Sequence, residues 1–225
     1  ANSVLQLSLD RNAVSRSDTS GTKPVFRLAE TENLSFYNID SQISVLRSQS
    51  ALVPILKSNI EVTKILWYNE TVRTGNPLSC IMFSNSTGYT LEKGSIVLKQ
   101  KQITLGEAVL EQMRPKDEEL YAYSVQLGVE VTVDVNTHHA KPHFVRVRNG
   151  ELSIYSYKTQ TTSYTFDNKT ETNFQTLMLD HLFLDGWDLE KKNDEAPIDI
   201  TDRYYRFEKK LGSKQKQKFE VSEKR

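Results

Sequence analysis

Cysteine is nearly absent. Cys80 is the single one in 225 residues, so neither an internal disulfide framework nor a multi-cysteine zinc site can form. It lies in the apolar run Leu78-Ser79-Cys80-Ile81-Met82-Phe83 with no basic partner close in sequence. That context fits a buried strand thiol better than a nucleophile. Long apolar runs are missing as well: none approaches the ~20 residues of a membrane-spanning helix. Net charge is missing, because 29 Lys+Arg balance 29 Asp+Glu. A general nucleic-acid partner or an anionic membrane surface therefore has no whole-chain electrostatic support. There is no phosphate-cradling glycine loop, no GxSxG elbow and no HExxH. The chain does not begin with Met. The expectation is a processed chain or a piece of a longer one, with any targeting segment out of view and with cell envelope and cytoplasm both open as locations.

What is present is β-like. Hydrophobic residues make up only 37%, which suits thin layers and many loops. Aromatic and β-branched residues nevertheless run throughout, which excludes a disordered composition. No segment keeps a 3.6-residue period. Val129, Val131, Val133 and Val135 alternate with polar residues, the pattern of a strand with one wet and one dry face. Ile60, Val62, Leu66 and Tyr68 share another period-2 face, interrupted by Lys64. Pro54 marks an edge strand or a bulge, and Leu5, Leu7 and Leu9 allow a short edge strand. Gly106 to Met113 is the most helical stretch, but it is short and stopped by Pro115, so a strand is predicted there. Asn149-Gly150 is a two-residue hairpin signal. Short strands with turns between them predict an all-β chain: two packed antiparallel β-sandwich (immunoglobulin-like) domains with little or no helix. The expected divisions are a loose leader at 1–22, a first domain at 23–137, a linker at 138–142 and a second domain at 143–225.

Several segments carry a family resemblance. They are Leu52-Val53-Pro54-Ile55-Leu56, Asn85 to Leu91 with Gly94, Gly106-Glu107-Ala108, Arg114 to Glu119 and Tyr121 to Val131. Tyr164 to Asn168, Asp180-His181, Gly186-Trp187, Thr201 and Tyr205-Arg206-Phe207 follow in order. Together, from about Lys23 to the end, they resemble the C-terminal β domain, of unknown function, in the bacterial mucoidy-inhibitor family. The resemblance implies a parent with a small N-terminal β domain and a long coiled coil ahead of this module. It implies a link to envelope polysaccharide only through the family's name, and it supplies no catalytic residue. The chain departs from the family pattern at Gln126, where an acidic residue is common, and at Leu182, where proline commonly follows the histidine.

Candidate chemistry is sparse. His138, His139 and His143 form HHAKPH, a metal candidate if a carboxylate joins from another loop; the competing view is a solvated linker. His181 follows Asp180 and would be a base oriented by a carboxylate, or a strand-end histidine satisfied by hydrogen bonds. Asp117, Glu118 and Glu119 read as a solvated turn rather than paired acids facing across a cleft. Asp185-Gly186-Trp187-Asp188 offers a sugar-stacking platform or a core plug. The stretch Glu208 to Arg225, with more basic than acidic residues, reads as an edge strand protected by lysines. The sequons at Asn33, Asn69, Asn85 and Asn168 fit chance in a chain rich in Asn, Ser and Thr.

The expectation is a non-catalytic interaction or assembly module of a larger, coiled-coil protein. It has no assigned catalytic residue, cofactor or metal, and acts through a protein partner or self-association, without nucleic acid or a membrane span. The alternative is a carbohydrate-binding or carbohydrate-active domain, with polysaccharide as partner.

Overall fold

A computed structural model describes residues 3–11, 26–31, 34–39, 44–45, 47–48, 53–100, 103–190 and 196–225, the strands before Asn59 by their backbone alone. In chain order the strands are β1 (Ser3–Arg11), β2 (Phe26–Thr31), β3 (Leu34–Ile39), β4 (Val53–Asn69), β5 (Leu78–Ser84), β6 (Gly94–Gln100), β7 (Ile103–Leu110), β8 (Glu118–Val125) and β9 (Val129–His139). They continue as β10 (Phe144–Arg148), β11 (Glu151–Tyr155), β12 (Lys158–Asn168), β13 (Phe174–Leu182), β14 (Asp188–Leu189), β15 (Asp199–Ile200), β16 (Tyr204–Leu211) and β17 (Lys216–Lys224). No helix occurs among the described residues. The chain is all-β and sandwich-like, as its period-2 segments predict.

Two compact units form: Ala1–Lys64 with Cys80–Ser124, and Ile65–Ser79 with Val125–Arg225. In the first, β1 runs antiparallel between β4 and β6, and β7 continues beyond β6. β5 pairs with β4 and β8, and β2 and β3 form their own hairpin. Ile60, Val62, Ile81, Phe83, Ile96, Leu98 and Tyr121 meet in this unit's core, each held there by the strand alternation that turns every second side chain inward. The expected leader at 1–22 contains β1, which has a partner on both sides and so is not an edge strand. Pro54 lies at a bulge, since Leu9 faces Leu56 but Asp10 faces Pro54. The extra residue suits a position whose nitrogen cannot donate to the ladder. Gly106 to Leu110 is strand, within β7.

In the second unit β14, β17, β12 and β9 form one antiparallel sheet. β15, β16 and β13 pair in sequence, and β13 then runs parallel to Leu66–Asn69 of β4. This parallel pairing departs from the expected antiparallel scheme. Leu66, Tyr68, Val129, Val131, Tyr164, Phe166, Leu179, Phe207, Phe219 and Val221 pack into this unit's core. The interrupted face of β4 now has a physical meaning. Ile60 and Val62 belong to the first core and Leu66 and Tyr68 to the second, with Lys64 at the change-over.

The segment at 138–142 is not a break between units. β9 pairs with β12 from Val129–Asn168 to His139–Lys158. The ribbon then continues through Ala140 N–H to the Tyr157 carbonyl (2.8 Å) and His143 N–H to the Tyr155 carbonyl (3.0 Å) into the β10–β11 hairpin. His138 to Pro142 is thus an irregularity inside one long ribbon, where Pro142 interrupts the ladder.

Candidate functional site

The inward face of β12 changes character along its length. Phe166 and Tyr164 sit in the core, opposite Val131 and Val133 of β9. The next inward residues, Thr162 and Gln160, are polar and face Val135 and Thr137. Here the second unit's core gives way to a cavity of about 270 Å³, whose lining includes Glu70, Val135, Gln160, Thr162, Tyr164 and His181. Thr162 is only 4% exposed, and among the described residues nothing pairs with its hydroxyl. Glu70 stands exposed on the turn that follows β4.

Two side-chain clusters hold the cavity wall, one buried and one partly exposed at Arg206. The Tyr164 hydroxyl lies 2.6 Å from His181 Nδ1, and His181 Nε2 lies 3.2 Å from Glu223 Oε2. Burial, then the negative charge of Glu70, pushes the Tyr164 phenol far above its ordinary range, so it keeps its proton. Glu223 Oε1 accepts the Leu184 N–H at 3.0 Å. Since β13 carries His181 while β12 and β17 carry Tyr164 and Glu223, the three side chains clamp the unit's two sheets together. Asp180 serves the second cluster: its carboxylate accepts Arg206 Nε at 2.7 Å, an Arg206 terminal nitrogen at 2.9 Å and Trp67 Nε1 at 2.9 Å. Asp180 does not orient His181. The histidine is satisfied by hydrogen bonds, and every polar atom of its trio is engaged within the fold.

A second surface lies at the end of the ribbon. Asn149 (φ 51°) and Gly150 (φ 82°) make the two-residue turn that the sequence predicts, with both residues left-handed as a type I′ hairpin requires. Val145 faces Ile154 and Val147 faces Leu152 across the pair. These four side chains form one face, 53%, 58%, 71% and 62% exposed in that order. Phe144, Arg146 and Arg148 face Tyr155, Ser153 and Glu151 on the other side.

The remaining candidates disperse. His138 and His139 are exposed at the end of β9, and the His143 ring stacks on Tyr157 at 4.2 Å. Among the described residues no group of three or more His, Cys, Asp or Glu is placed to hold a metal ion. Asp117 caps its own turn by accepting the Arg114 N–H at 2.7 Å, and Glu119 accepts the Tyr121 hydroxyl at 2.5 Å. Trp187 is half-buried with Lys158 Nζ over its ring at 5.7 Å and is not part of the core, so the expected plug is absent; Leu189 packs there instead. β17 pairs with β12 along most of its length, while β14 covers only Glu223 and Lys224 on its other side, which agrees with a lysine-protected edge.

Sequence reasoning missed the role of three sequons. Asn69, Asn85 and Asn168 are buried, and each side-chain carbonyl accepts the N–H and hydroxyl of the threonine two residues on. The signal was the repeated Asn-x-Thr at strand ends. Asn33 lies outside the described residues. No helix among the described residues is long and apolar enough to cross a membrane. No family model, no curated protein and no solved structure matches this chain.

Proposed function

We propose that the chain is a non-catalytic assembly module that pairs with a second copy of itself through the apolar face of the β10–β11 hairpin. The observation that carries this is the row Val145, Val147, Leu152 and Ile154, with no charged side chain on it. A two-stranded ribbon in water is marginal without something packed on it. An uncharged row gains nothing from a charged partner and matches its own copy by two-fold symmetry. The chain's zero net charge adds no repulsion between copies. Four side chains fall far below the roughly 20–30 residues a side of a stable interface. The isolated contact is therefore weak, with Kd of about 0.1–1 mM. A coiled-coil parent of the mucoidy-inhibitor type, as the sequence motifs suggest, would raise its effect by holding copies together.

Sedimentation equilibrium tests this. The chain should show weak, concentration-dependent dimerisation that Leu152→Asp abolishes while the circular dichroism spectrum stays unchanged. Dimerisation unaffected by that substitution, or a strict monomer at millimolar concentration, overturns the proposal.

The cavity favours the second reading, a carbohydrate-binding domain acting on envelope polysaccharide. Glycan cleavage gains little support from it, because Asp180 is committed to Arg206 and Trp67 and lacks the freedom of a catalytic acid or nucleophile.

A further inference from the structure

We propose that the cavity of the second unit binds a small organic ammonium ion, a primary amine of about amino-sugar size. The Glu70 carboxylate is its counterion, and the Thr162 hydroxyl and Gln160 side-chain carbonyl accept its protons. Three observations converge. Thr162 lines the space, and its hydroxyl makes no hydrogen bond to the described residues, so it is free to meet a ligand there. Next is the charge balance of the lining. Asp180 is neutralised by Arg206 at 2.7 Å. Glu70 has no ion-pair partner among the described residues, so the cavity mouth keeps one uncompensated negative charge. That charge reaches the wall: it helps raise the phenols of Tyr68 and Tyr164.

The last observation is fit. A volume of about 270 Å³ lies just below the range of drug-sized sites and suits a single small ring or a short chain. An ammonium carries three donors and no acceptor, matching a carboxylate, a hydroxyl and an amide carbonyl. Val135 and Leu182 supply the apolar side for the ligand's carbon skeleton. An anionic ligand would meet Glu70 head-on, and a neutral polyol would leave its charge uncompensated.

The test is titration of the full chain by NMR with three probes: glucosamine, its neutral counterpart glucose, and Nα-acetyl-lysine methylamide, which presents the same amine as a peptide would. Both amines should shift the signals of Thr162 and Gln160, glucosamine binding roughly five- to tenfold more tightly than glucose. Tighter binding of the lysine derivative than of glucosamine would assign the amine to a protein side chain and overturn the small-molecule assignment. Glu70→Gln, at an exposed position, should abolish the preference for amine over glucose, and Thr162→Val should weaken both amines. Equal affinity for glucose and glucosamine, an amine preference that survives Glu70→Gln, or no perturbation at Thr162 by either amine overturns the proposal.

Discussion

At the residue scale, three strand ends share one device. In Asn69-Glu70-Thr71, Asn85-Ser86-Thr87 and Asn168-Lys169-Thr170 a buried asparagine closes the turn that follows its strand. Asn168 is the most committed: its Nδ2 donates to the carbonyls of Thr172 (2.8 Å) and Gly212 (2.7 Å) while its carbonyl accepts twice from Thr170. Asn168→Ala leaves those partners unsatisfied, and urea unfolding should register a loss of about 2–4 kcal/mol; an unchanged midpoint would show that the amide is not structural. The tripeptides were legible in the sequence, but their burial was not, because a sequon on a surface loop and a turn plug look alike on paper. Cys80 was legible, since an apolar run around a lone thiol implies burial. It is 1% exposed and its pKa is pushed up to about 12 by desolvation. It should resist an aqueous disulfide reagent at pH 8 until the chain unfolds; rapid labelling of the folded protein would contradict the burial.

At the element scale, β7 and β9 show what alternation can and cannot reveal. The valines of β9 correctly mark a strand with a dry face, yet Val135 at its far end is 56% exposed beside the cavity. Periodicity records which face a residue is on and not whether another sheet still covers it. The ribbon was harder to read. A proline after two histidines suggested a linker, because local signals cannot distinguish an irregularity in a long hairpin from a boundary. The pairing of Lys158 with His139 decides it. In β7, Gly106 is required by close packing: a Cβ there would press on the Tyr123 carbonyl oxygen, which is fixed backbone. Gly106→Ala should destabilise by about 1–3 kcal/mol, checked by thermal unfolding; a stabilised variant would contradict the packing. Sequence alone marks the glycine but not the strand that approaches it.

At the scale of the whole molecule, each unit carries a core of its own and contributes groups that resist ionisation. Burial raises Cys80 to about 12 in the first unit and, with help from Glu70, Tyr68 to about 12 in the second. The unfolded values are lower, 9.0 for the thiol and 10.0 for the phenol. The folded chain therefore holds more protons at alkaline pH. Its stability from these groups is complete below pH 9.0 and falls as pH rises from there through about 12. Urea midpoints measured against pH should decline across that window, and a flat profile would contradict the burial of both groups. The assembly claim rests on the hairpin face, and a methyl-resolved NMR dilution series tests it most directly. The account predicts that the methyl signals of Val145, Val147, Leu152 and Ile154 shift together with concentration while those of core residues such as Ile96 and Leu179 stay fixed. Hairpin methyls that remain unchanged up to millimolar concentration, or shifts confined to another surface, would contradict it.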